Sequence, residues 1–213
     1  MNAQALRSSV AAALLGLVFV IGGCGTTPNV PDHTYYRLPD PAELPVAPTQ
    51  LFQVPVVVGL FAADGLYADR ALVYALDHEA SELRQYHYQL WTDPPTRTLQ
   101  RRLQGALRKA AIAPLVVDEL AASQTALRIS GALLRFERVP TSDGGHVAAV
   151  VIKLRFDRPD GKPLVDEIYR AEVAAESRSL GGTVKALGAA IDRIFAEFHA
   201  DIERVAAEIA DAR

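Results

Sequence analysis

The chain has 213 residues, 50% of them hydrophobic, with 22 basic against 25 acidic side chains and a formal net charge of −3. This balance excludes nucleic-acid binding through a broadly basic surface, and the length suffices for one domain with a sizeable core. A single cysteine excludes a disulfide framework, so the core alone must hold the fold.

The first 24 residues set the address. Arg7, the apolar run 10–21 and the small residues Gly22-Gly23 have the order of a secretory signal: basic region, short apolar region, cleavage site. The run is too short to span a bilayer. Cys24 directly after Ile21-Gly22-Gly23 completes a lipobox, so residues 1–23 are expected to be a lipoprotein signal peptide. The Cys24 thiol would take a diacylglycerol, and its freed amino group an N-acyl chain such as palmitate. These covalent lipids are the only added groups expected, with no cofactor and no metal. Several chains anchor stably where one binds reversibly. Gly25, in place of an Asp, favours the periplasmic face of the outer membrane over the inner membrane.

Six of the 13 prolines fall within 24–50, at positions 28, 31, 39, 41, 45 and 48, which forbids helix and favours extended chain. The stretch is expected to be a tether, with residues 35–38 offering a first strand, ahead of a single α+β domain over 51–213. Strand patterns follow at 54–61, 71–75 and 83–91. Asp93 as cap and Pro94 in the first turn predict a helix over about 94–110, with Leu99, Leu103, Ala106 and Leu107 on one face. A short strand at 115–117 and three long ones at 126–138, 146–157 and 163–177 predict an antiparallel meander with glycine turns at 142–145 and 159–161. Gly181-Gly182-Thr183 opens a final helix, about 183–210, whose apolar stripe from Val184 to Ile209 has the spacing to pack across a sheet. The expected class is α+β: a mixed, largely antiparallel sheet packed by two main helices.

Three segments, Tyr35-Tyr36-Arg37-Leu38, the run 65–74 with Tyr67, Asp69, Arg70 and Tyr74, and the run from Tyr86 through Trp91 to Pro95, stand in an order that resembles the PqiC-like auxiliary lipoproteins of ABC-type transporters. The resemblance implies a non-catalytic periplasmic component. It would work beside an MCE-domain substrate-binding protein, a permease and an ATPase, in a system moving lipids or other apolar molecules across the envelope. It also allows a homo-oligomer. The alternatives are an autonomous structural lipoprotein tethering the outer membrane to another layer, and a lipid-binding protein acting alone.

The residues themselves offer several partner contacts. The helix of 94–110 carries Arg97, Arg101, Arg102, Arg108 and Lys109 with no acid between Pro95 and Ala111, either a solvated face or a surface for anionic headgroups or an acidic partner. Six of seven tyrosines and the only tryptophan lie within 35–91; strand patterns favour the core for Tyr74, Tyr86 and Tyr88, while Tyr67 and Trp91 suit core and interface equally. Asp69 and Arg70 could pair to tie down a loop or reach a partner. Enzyme chemistry finds no support: the five histidines show no metal-ligand spacing, and Ser142, Asp143 and His146 share one hairpin tip, too close in sequence to align as a triad.

Overall fold

The computed structural model describes residues 31–121 and 123–212. The expectations for the signal peptide, the lipobox Ile21-Gly22-Gly23 and Cys24 lie outside these residues. The folded unit begins at His33.

In chain order the elements are β1 (Thr34–Tyr36), β2 (Val56–Val58), β3 (Ala62–Ala63), a 3-10 turn (Gly65–Ala68), β4 (Ala71–Ala75), β5 (Leu83–Trp91), α1 (Pro95–Lys109), β6 (Val116–Val117), β7 (Leu127–Pro140), β8 (His146–Asp157), β9 (Pro163–Ala174) and α2 (Leu180–Asp211). The α+β class holds. The described strands form one mixed sheet organised by β7. On one side β7 runs antiparallel to β8 along its length, and β8 to β9, as the expected meander. On its other side β7 pairs in parallel with β2, β3 and β4 in succession. From β4 the sheet continues to antiparallel β5 and parallel β1, and from β2 to parallel β6.

Short strands feed one long strand because the chain bends between them. The predicted strand 54–61 is split: Gly59 N donates to Ile129 O at 2.9 Å, and pairing resumes only at Ala62. A register shift between Leu133 and Arg135 of β7 changes which side chains face the helices, so Leu133 and Phe136 both enter the core. Gly131 is required where β7 passes Phe61, because a Cβ there would stand 2.6 Å from the ring.

Both helices cover the core face. Leu99, Leu103 and Leu107 of α1 and Ile191, Ile194, Phe198 and Ile202 of α2 are fully buried, each side chain contributing about 1.5–3 kcal/mol by leaving water. Both helix starts differ from expectation. Pro94, not Asp93, takes the cap position of α1. In α2, Ser179 caps, accepting from Gly182 N at 3.0 Å, so the helix opens before the Gly181-Gly182-Thr183 segment. Strand β9 stops at Ala174 rather than 177, where the chain turns toward this cap.

The largest correction concerns the tether. From His33 on, the proline-rich segment belongs to the folded unit. Leu44 and Ala47 are buried, Ala47 N donates to Ala110 O at 3.2 Å, and Phe52 N to Ile112 O at 3.0 Å. Pro39 lies against Gly188 of α2, where a Cβ would be 2.8 Å from its ring. Prolines keep the strap extended, but helix surfaces give its carbonyls and apolar side chains partners that composition cannot reveal.

Arg102, expected on the basic face of α1, turns inward. Its Nη2 and Nε donate to Asp192 Oδ1 of α2 at 2.7 and 3.1 Å, and its guanidinium also reaches Pro39 O and Asp40 O. Ala42 N donates to the other Asp192 oxygen at 3.1 Å. Breaking one partner of such a buried pair costs about 3–5 kcal/mol. Arg102→Ala is therefore expected to lower the urea-unfolding free energy by that amount, with Asp192→Ala adding less than its separate cost.

His199 of α2 is buried, and its Nε2 has no hydrogen-bond partner among the described residues. Burial holds its pKa below the usual 6.5, against the opposing pull of Glu203. The unfolded chain thus binds this proton first, so stability is fully present above about pH 6.5 and falls as pH drops through the lower folded value. The urea midpoint is expected to fall between pH 7.5 and 5.5, and to fall less in His199→Leu.

Candidate functional site

The three segments that carry the family resemblance meet at one corner of the sheet. β1 pairs with the end of β5, aligning Tyr35 with Leu90 and Tyr36 with Trp91. Thr92 N then donates to Tyr36 O at 3.0 Å, and α1 leaves the corner against the 3-10 turn.

Most motif side chains hold this corner together. Trp91 is buried and packs on Phe136 with ring centroids 5.3 Å apart. Of the two places open to it, core and interface, Trp91 takes the core. Tyr67, on the 3-10 turn, donates its hydroxyl to Glu137 Oε2. Glu137 is 2% exposed and takes a second bond from Arg135 Nε. Burial, then the bond to Glu137, pushes the Tyr67 pKa up, which keeps the phenol a donor. Gln85 Nε2 donates to Leu66 O at 3.1 Å, fixing the same turn to β5.

Asp69 and Arg70 do not pair with each other. Arg70 Nε donates to Trp91 O at 3.2 Å and its guanidinium stands 5.5 Å from the Tyr35 ring centroid, a cation–π arrangement. Asp69 is exposed and, among the described residues, makes no ion pair. Tyr74, Tyr86 and Tyr88, expected in the core, are only half-buried: Tyr74 and Tyr86 stack at 4.4 Å, and Tyr88 lies 5.7 Å from His33.

The basic helix resolves into two groups. Arg102 and Arg108 are structural, the latter donating to Val116 O at 2.8 Å from Nη2. Arg97, Arg101 and Lys109 are exposed. Arg101 stands 3.8 Å from Asp93 in an exposed pair, and Arg97 has no ion pair among the described residues. Tyr35, Asp69 and Arg70 are thus exposed at the corner, and Arg97 and Arg101 are exposed on α1, which starts from it.

Residues 36–198 match the family of ABC-type transport auxiliary lipoprotein components. The chain belongs to this family. It is a lipoprotein of the kind that serves ABC-type transport, and the match spans both the motif corner and the meander. Among solved structures it is similar to protein XCC0632 from Xanthomonas campestris, with a TM-score of 0.71 and 13% identity, over 84% of this chain and 99% of that one. An uncharacterized protein follows at TM-score 0.55 and 18% identity, over 82% and 98% of the two chains. The hypothetical protein CT253 from Chlamydia trachomatis reaches 0.50 and 9%, over 73% and 98%. At these identities the likeness is one of fold. No curated protein matches the sequence.

Away from the corner, an open apolar groove of about 290 Å³ runs between the last turns of α2 and the segment before β2, lined among others by Phe52, Val54, Leu127, Leu164 and Ile209, with Arg158 at its side. Among the described residues no cluster of His, Cys, Asp or Glu could hold a metal ion, and no helix is long and apolar enough to cross a membrane.

Sequence reasoning missed two buried charges. Arg102 was within reach: it falls three residues after Leu99 and four before Ala106, inside the apolar stripe. Glu137 left no signal, because the register shift in β7 changes the phase of the strand before it.

Removing the Tyr67 hydroxyl leaves Glu137 with one partner fewer, at a cost of about 1–3 kcal/mol. Tyr67→Phe is expected to lose that much in urea unfolding, whereas Arg97→Glu, on exposed surface, is expected to stay within about 0.5 kcal/mol of wild type.

Proposed function

We propose that this lipoprotein is a non-catalytic auxiliary component, anchored through Cys24 at the periplasmic face of the outer membrane, of a system that moves lipids or other apolar molecules. Its partners in this reading are an MCE-domain substrate-binding protein and, in the same system, a permease and an ATPase. The observation that carries it is family membership over residues 36–198. The motif corner supports it, since exposed Arg70 beside Tyr35, with Arg97 and Arg101 exposed on the helix that follows, has the aromatic and arginine composition of a docking surface. With the folded unit beginning at His33, nine residues beyond Cys24, the tether reaches at most roughly 30 Å, so docking takes place close to the membrane that holds the lipid.

The apolar groove beside Ile209 favours a second reading, a lipid-holding protein acting alone. An autonomous structural tether is the third.

Capture from envelopes in mild detergent through a C-terminal tag, followed by mass spectrometry, distinguishes them. The transporter reading expects an MCE protein, permease or ATPase to be recovered, reduced in Cys24→Ala and several-fold lower in Arg97→Glu/Arg101→Glu with an unchanged circular dichroism spectrum. Recovery of lipid without transporter parts would establish the second reading. Recovery of the protein alone, or with peptidoglycan-associated proteins, would leave the structural tether.

A further inference from the structure

At the end of the sheet formed by the β7–β8 hairpin, Arg138 and Arg178 come together and neither makes an ion pair among the described residues. Arg138, near the end of β7, donates from Nη1 to Tyr86 Oη at 2.8 Å and from Nη2 to Arg178 O at 2.7 Å. The same Nη2 lies 3.1 Å from His146 Nδ1, while Arg138 Nε is buried with no partner. A guanidinium only donates, so His146 Nδ1 must accept, and the neutral ring carries its proton on Nε2. Arg178, in the loop before α2, is exposed, lies beside Gly144 of the hairpin, and its guanidinium makes no hydrogen bond or ion pair among the described residues.

Four other arginines of this fold face carboxylates: Arg102 meets Asp192, Arg135 meets Glu137, Arg155 meets Asp157 and Arg204 meets Asp201. Here Asp143 feels the charge of Arg178 without pairing with it, and its Oδ1 is engaged by Thr141 Oγ1 and Gly145 N within the turn. Burial, then Arg138 and Arg178, holds the His146 pKa below the usual 6.5, as expected of an imidazole among uncompensated cations. The N-terminus of α2 is not part of this arrangement, because Ser179 already caps it.

We propose that Arg178 and His146 bind a phosphate-type oxyanion, the guanidinium fork and the imidazole Nε2–H donating to its oxygens while Arg138 fixes the imidazole tautomer. A planar fork with two parallel donors matches phosphate oxygens, and a bound anion would give the two guanidinium groups the direct ion pair that Asp143 does not make. Free phosphate and the phosphodiester of a lipid headgroup share this chemistry.

The test follows the His146 ring resonance of the full chain in a non-ionic detergent, assigned by its loss in His146→Gln. Inorganic phosphate is expected to raise the His146 pKa saturably, by roughly one unit. Arg178→Gln, which removes a guanidinium that makes no hydrogen bond or ion pair among the described residues, is expected to weaken that response at least about tenfold with a nearly unchanged thermal midpoint. A second titration uses micelles doped with short-chain phosphatidylglycerol, with phosphatidylcholine as control. A response to phosphate alone identifies a soluble oxyanion, a response to phosphatidylglycerol alone a headgroup, and a response to both a site open to either. No response to either probe, or one undiminished in Arg178→Gln, overturns the proposal.

Discussion

The buried guanidinium of Arg102 joins three parts of the chain that are far apart in sequence. Its bonds to Asp192 tie α1 to α2, and its bonds to the carbonyls of Pro39 and Asp40 lay the proline-rich strap across both helices. An ion pair so enclosed gains little over an apolar replacement of equal volume, because both charges must leave water. Its importance lies in the cost of mismatch: any other helix register or strap path leaves a charge buried alone. The two helices can slide on a greasy sheet in many ways, but only one placement satisfies this group.

The same logic orders the motif corner. Of the residues that carry the family resemblance, Trp91 fills the core, Tyr67 satisfies the buried Glu137, and Arg70 bonds the backbone where β5 ends. Trp91 and Tyr67 support the surface from beneath, and Arg70 both ties the corner and remains exposed on it. A sequence pattern is therefore poor at separating a contact residue from the residue that positions it, since both demand a particular side chain. The exposed groups around them, Arg97 and Arg101 on α1 and Asp69 on the loop before β4, carry no such internal role among the described residues.

Charge is distributed unevenly in a chain of nearly balanced composition. The outer ladder of the meander is laced with paired ions such as Lys153–Asp166 and Arg155–Asp157. Unpaired cations collect at α1 and at the β7–β8 hairpin, on different parts of the molecule. The apolar groove at the foot of α2 is a third distinct feature. All three lie on the one compact unit that begins at His33.

The sequence by itself determined the α+β class, the meander and both helices to within a few residues, because side-chain periods of two and 3.6 are local properties. The stripe of α2 and the glycine turns Gly144 and Gly161 were legible for that reason. Arg102 was half-legible, lying within an apolar stripe but looking like one cation among five. The tertiary structure alone decided that the strap after His33 belongs to the domain, that Trp91 is core, that Asp69 and Arg70 part, and that Arg138, His146 and Arg178 converge. Each of these depends on a partner distant in the chain, and burial and hydrogen bonding are properties of the pair, which no local pattern encodes.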